Sequence, residues 1–185
     1  MAAQERTVGA KTVFRGRILR VEVLDIETEA GVRSVREIVR HPGAVAILGE
    51  TPDGRFVLVR QFRKAIEQTL LEAVAGTLEP GEEPDRAAAR ELREETGYEA
   101  AELRKLGVIC LAPGYSDERL HVYYARLAPG PAAQSPDEDE SLERVYLTRE
   151  EMEASIRAGE IGDAKTLAAW MLLRALATSA QGGTR

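Results

Sequence analysis

The sequence predicts an α/β (α+β) sandwich. Short Val-, Ile- and Leu-rich runs are separated by turn residues, and two or three segments of helical character fall among the later ones. Residues 12–40 carry such runs and break at Glu29-Ala30-Gly31, so they read as an N-terminal antiparallel strand extension, a hairpin or a meander. His41-Pro42-Gly43 interrupts the pattern, which makes His41 a turn residue. Segments 44–48 and 56–59 flank the turn signal Pro52-Asp53-Gly54 and are expected to be two buried antiparallel strands. A stretch punctuated by Gly and Pro, 75–81, leads into a helix opened by Pro84 and closed by Gly97. Strands are expected at 106–111 and 120–127, with a Pro-Gly-containing loop, 112–119, between them. An acidic loop spans 129–140. Beyond it lie a strand at 144–147, a helix with the capping box Thr148-x-x-Glu151 that ends at Gly159, and a last helix over 163–176. In that last helix Leu167, Trp170 and Met171 follow helical spacing and are expected to pack in the core or an interface. The divisions are an extension over 1–40, a main domain over 41–178 and a tail over 179–185 without fixed structure.

Composition narrows the classes of function. Among 185 residues the formal net charge is −6 and neither half holds a long basic run, so binding to nucleic acid or a membrane surface has no electrostatic support. An anionic substrate must then be met by local cations or by a metal. The single cysteine, Cys110, cannot form an internal disulfide, and His41 and His121 are too few for a Cys/His zinc set. Carboxylates remain as ligands, which favours Mg²⁺ or Mn²⁺. No apolar run is long enough to span a membrane and the first residues lack a signal peptide's apolar segment, so a cytoplasmic location is expected.

In the helix after Pro84, Glu91, Glu94 and Glu95 stand at i, i+3 and i+4 and share one face. Leu92, with Ala88 and Ala89, marks another side that can pack on a sheet and hold the acidic face toward a cleft. Crowded carboxylates repel, and a hard divalent cation offsets the repulsion. A solvated, charged helix face is the other reading of these residues taken alone.

The surrounding residues resemble a known family. Gly76, five residues, Glu82, seven residues, then Arg90-Glu91-Leu92-Arg93-Glu94-Glu95-Thr96-Gly97-Tyr98 resembles the complete Nudix box, with no departure at its defining positions. The resemblance implies the Nudix fold, a mixed β-sheet sandwiched between helices, and hydrolysis of a diphosphate linked to another moiety. It implies that Glu91, Glu94 and Glu95 bind Mg²⁺ together with the backbone carbonyl of Ala75, and that Arg90 and Glu82 orient those carboxylates. Gly76 gives the backbone room to turn.

The attached group has to be read outside the box, where three features resemble the ADP-ribose pyrophosphatase branch. Ala112-Pro113-Gly114-Tyr115-Ser116-Asp117-Glu118 is similar to its Ser-Pro-Gly-x-x-x-Glu stretch, with Ala112 in place of Ser. Arg60-Gln61-Phe62-Arg63 followed by Leu71-Glu72 resembles its Arg-Gln-x-Arg segment, although Ala73-Val74-Ala75-Gly76 departs from the branch's Leu/Ile-Pro-Ala-Gly. The acidic loop Asp137-Glu138-Asp139-Glu140 matches where the branch carries further acids. The resemblance implies that Glu138 is the general base on the attacking water and that Glu140 assists the metals; a solvated loop is the alternative. Arg63 is a candidate for bidentate phosphate contact or an exposed strand-end arginine. Glu118 is a candidate for ribose hydroxyls or metal support, or plain surface. Tyr98 and Tyr115 are candidates for stacking on a base, with packing in the core or at its rim the expected reading. The resemblance implies that the extension builds a homodimer, with Arg36 and Glu37 as candidates for reaching the nucleoside from the partner subunit; the strand alternation is compatible with this without requiring it. The competing readings are another substrate (GDP-mannose or a similar nucleoside diphosphate sugar, a dinucleotide, a nucleoside triphosphate) and a non-catalytic ligand sensor.

Overall fold

The computed structural model describes residues 4–135 and 141–181, which fall into two compact units. The first unit comprises the chain up to Gly43 together with Cys110–Arg119. Its sheet is a three-stranded antiparallel meander of β1 (Glu5–Arg15), β2 (Arg20–Thr28) and β3 (Arg33–Arg40). The turn between β2 and β3 needs Gly31, at φ 77°, which donates its N–H to the Thr28 carbonyl at 2.9 Å. β1 begins before residue 12 because Gly9, Ala10 and Lys11 hide the β pattern while β2 supplies the hydrogen-bond partners. Segment 112–119 is bound to the end of β3: Val39 N–H donates to Tyr115 O at 2.7 Å, and Asp117 N–H to Val39 O at 3.2 Å.

The second unit comprises Ala44–Ile109 and the chain from Leu120. Its mixed sheet has the order β10 (Leu142–Leu147), β5 (Phe56–Arg63), β4 (Ala44–Glu50), β9 (Arg119–Leu127), β8 (Ala100–Cys110). β4 and β9 run parallel, from Ala44 opposite Leu120 to Glu50 opposite Arg126, whereas β4–β5 and β5–β10 are antiparallel. Two short strands also join it, β6 (Gln68–Glu72) on β5 and β7 (Val74–Thr77) on β4. The sequence reads 75–81 as a loop, and the difference is tertiary: Ala44–Ile47 pair with Val74–Thr77 and draw that backbone into the sheet.

Both faces of this sheet are covered, which is why β4 reads as an unbroken apolar run. Ala44, Ala46, Leu48, Phe56 and Leu58 face Met152 of α2 (Arg149–Ala158) and Ala169, Trp170 and Leu173 of α3 (Ala164–Gln181). Val45, Ile47, Val57 and Val59 face Ala87, Ala88 and Leu92 of α1 (Pro84–Thr96), and Tyr98 beyond it. Each large apolar side chain enclosed in this way contributes about 1.5–3 kcal/mol of burial. Ala89 is only half-buried, so Ala87 takes the sheet-facing place expected for it. Trp170 packs edge-on to Phe56 with ring centroids 5.1 Å apart, while Met171 and Tyr115 are exposed, outside the core. Thr148 and Glu151 form the expected capping box of α2. α3 continues to Gln181, into the expected tail, because the Ala-rich stretch after Leu176 favours helix.

Candidate active site

α1 starts with Pro84 in its first turn and stops at Gly97, whose φ of 71° lets its N–H reach back to Arg93 O at 2.7 Å. Its N-terminal end is pinned by Tyr123 of β9, which donates its hydroxyl to Asp85 at 2.6 Å. Between these anchors the buried stripe against the sheet fixes the rotation of the helix, and the acidic face turns toward β7. Gly76 of β7 lies so close to that face that a Cβ built on it would stand 1.9 Å from the Glu91 carboxyl carbon. A Cβ here would push the Glu91 carboxylate aside, so glycine leaves that carboxylate in place and lets the β7 backbone, with Ala75 one residue back, come against it.

Arg90 joins the acids. Its Nε and Nη2 donate to the two oxygens of Glu82, each at 2.9 Å, while Nη1 donates to Glu91 at 2.8 Å and to Glu94 at 3.0 Å. The hydrogen bonds to Glu82 are the largest influence that raises the Arg90 pKa above its ordinary value. In return the guanidinium holds the Glu82 carboxyl below the usual carboxylate range. Glu95, 3% exposed, points inward from the same turn. Among the described residues no three acidic, histidine or cysteine side chains are already gathered in a metal-holding arrangement, and Arg90 bridges Glu91 to Glu94. The donors nevertheless suit a hard divalent cation: all are carboxylate oxygens, and Gly76 admits a backbone carbonyl beside them.

Arg63, at the end of β5, spends its fork on Glu72: Nε donates to Oε1 at 2.9 Å and Nη2 to Oε2 at 2.5 Å. Lys165 of α3 also bonds Glu72 and lies 3.1 Å from Asp163, which accepts the Thr166 N–H and hydroxyl. Thr166 in turn accepts the Ala73 N–H at 2.7 Å, so the start of α3 is tied to the junction from which β7 departs. No local pattern in the sequence marks Lys165 or Thr166 as belonging here.

The first unit holds the other candidates. Glu118 lies 3.8 Å from His41, whose Nδ1 accepts the Gly43 N–H, as a turn residue should. Pro113 lies in the segment bound to β3. On β3 itself Arg36 pairs with Glu5, and Glu37 stands opposite Val23. Glu138 and Glu140 lie outside the described residues.

The family model described as "NUDIX domain" matches residues 39–170. The chain belongs to the Nudix family. Nudix hydrolases work with divalent cations, and this Nudix protein is a hydrolase. Over 164 residues it is 43% identical to an ADP-ribose pyrophosphatase of Bacillus subtilis, covering 88% of this chain and 89% of the relative. Over 172 residues it is 41% identical to a methanol dehydrogenase activator of Bacillus methanolicus, covering 92% and 93%. A crystal structure of an ADP compounds hydrolase superposes with a TM-score of 0.83 at 29% identity, covering 98% of this chain and 97% of the other. The sheet between α1 on one side and α2 and α3 on the other is the expected Nudix architecture. Among the described residues no helix is long and apolar enough to cross a membrane.

Proposed function

We propose that this Nudix hydrolase cleaves the pyrophosphate of ADP-ribose into AMP and ribose 5-phosphate, with Mg²⁺ as the working cation and Mn²⁺ as a substitute. The observation that carries the chemistry is the acidic face of α1, with Glu91 held against the glycine backbone of β7. The choice of ADP-ribose is supported by likeness over most of the chain to a protein named ADP-ribose pyrophosphatase and by the fold shared with an ADP compounds hydrolase. Glu91, Glu94, Glu95 and the Ala75 carbonyl would hold the cation, with Glu140 assisting. When bound, it neutralises charge on the diphosphate oxygens and lowers the pKa of water. Arg90 and Glu82 keep the carboxylates oriented. A water oxygen attacks phosphorus, the bridging P–O bond breaks, the departing phosphate keeps the bridging oxygen, and Glu138 takes the water proton.

Arg63 serves the phosphates from its Glu72 mount, its side chain still 36% exposed. Glu118, Pro113, Arg36 and Glu37 belong to the substrate side, the last two across a homodimer. The dimer is supported by exposed Val8, Val13, Phe14 and Val35 on the three-stranded sheet, with exposed Val32 in its β2–β3 turn. We place the protein in the cytoplasm, in keeping with its single, exposed cysteine.

The test is a product assay over ADP-ribose, GDP-mannose, a diadenosine polyphosphate and nucleoside triphosphates, with Mg²⁺ or with EDTA. Mg²⁺-dependent release of AMP from ADP-ribose is expected to dominate. Preference for another compound would keep the chemistry and overturn the substrate, and binding without turnover would favour a sensor. Glu138→Gln should lower kcat by about 10²-fold or more with little change in KM. A larger kcat defect in Glu140→Gln would move the base to that residue.

A further inference from the structure

The hydrogen-bond ladder of α1 ends with Gly97 N–H on Arg93 O, which leaves the carbonyls of Glu94, Glu95, Thr96 and Gly97 beyond it. Each accepts a donor from the chain flanking the acidic segment 136–140. On the near side Ser135 N–H donates to Glu94 O at 2.8 Å, the Gln134 side-chain amide donates to Glu95 O, and Ala132 N–H donates to Gly97 O at 2.8 Å. On the far side Arg144 Nη1 donates to Thr96 O at 2.8 Å. The approach is close: a Cβ on Gly97 would stand 2.1 Å from Ala132 O. A helix end can satisfy such carbonyls with water or a short αL turn, so four donors from a distant stretch, two of them half-buried side chains, are more than termination requires. The turn they close carries Glu94 and Glu95 at the negative end of the helix dipole, where carboxylates are least favoured, and Arg144 brings a positive charge to that end.

We propose that Gln134 and Arg144 are positioning residues, a clamp on the last turn of α1 that holds Glu94 and Glu95 in register with Glu91 for the cation. This rests on the reading of those glutamates as cation ligands and deepens it: the chain on both sides of the acidic segment is fastened to the backbone of the residues that bind.

Three variants test it. Gln134→Met keeps length and loses the donor, Arg144→Met loses donor and charge, and Arg144→Lys keeps the charge and a donor. Two readouts are taken: the rise in thermal midpoint with added Mn²⁺ and no substrate, and kcat and KM for ADP-ribose with Mg²⁺. Each Met variant should raise the Mn²⁺ concentration for half the thermal shift about tenfold and lower kcat about tenfold, with KM within about twofold. Arg144→Lys should recover most of both losses. A lower metal-free midpoint with wild-type Mn²⁺ response and wild-type kcat would overturn the clamp and leave Gln134 and Arg144 as plain structural contacts. If Arg144→Met does not fold, Gln134→Met decides alone. Altered Mn²⁺ response in a protein that does not turn over ADP-ribose would uphold the clamp and sink the substrate, whereas no Mn²⁺ response in the wild type would sink the cation reading itself.

Discussion

Glu95→Gln should leave the fold standing and remove nearly all cation-dependent turnover. Glu95 is 3% exposed on the last turn of α1, with Glu91 one turn back and Glu94 beside it. Glutamine matches its shape and keeps an oxygen donor, but the site loses one unit of negative charge and one of its carboxylates. Cation stabilisation of the transition state is worth several kcal/mol, and losing about 3–4 of them corresponds to roughly 10²–10³ in kcat/KM. Steady-state kinetics over a Mg²⁺ titration check this beside a thermal melt without metal. The metal-free midpoint should stay close to wild type or rise, since a buried negative charge near the C-terminal end of α1 opposes the helix dipole. Near wild-type turnover at saturating Mg²⁺ would refute Glu95 as a ligand.

That expectation was legible before the structure because a box of fixed spacing lies on one helix, where i, i+3 and i+4 guarantee a shared face. The same local logic placed α1 between Pro84 and Gly97 and the capping box at Thr148 and Glu151. It gave out where the fold depends on pairing between distant segments. β6 and β7 exist because β5 and β4 offer partners, and a Gly/Pro-marked stretch does not announce that. Lys165 and Thr166 reach Glu72 and Ala73 across more than ninety residues, and Arg144 reaches Thr96 across 48. The two side chains that cap α1 and the two that fasten β7 are ordinary polar residues in their own neighbourhoods. Only the folded chain gives them their place. Arg63 shows the same limit: the sequence suggests a guanidinium for phosphate, and the structure shows what holds it, the buried Glu72.

Glu72 therefore carries the largest expected effect on stability. It is 1% exposed and shared by Arg63 and by Lys165, itself only 11% exposed. Removing one member of a buried ion cluster leaves uncompensated charge and costs about 3–5 kcal/mol, and because Arg63 is partly solvated the low end applies here. Glu72→Gln should thus lose about 3 kcal/mol, a fall of roughly 6–12 °C in thermal midpoint for a chain of this size. Burial alone would raise the Glu72 pKa, but hydrogen bonds and charge from Arg63 and Lys165 prevail and hold it below the ordinary 4.5. The carboxylate's contribution is then fully present above about pH 4.5 and is lost as the pH falls through the lower folded value. The midpoints of the two proteins should stay separated by a constant gap from neutral pH down to that point and converge in stronger acid. A gap that instead closes between pH 7 and 5 would mean that Glu72 is not held as a carboxylate between its two cations. Because Ala73 and the β7 backbone hang from the same junction through Thr166, the variant should also lose activity at temperatures where it is still folded. Glu72 then acts on the site through Gly76, as the mount for the backbone that faces Glu91.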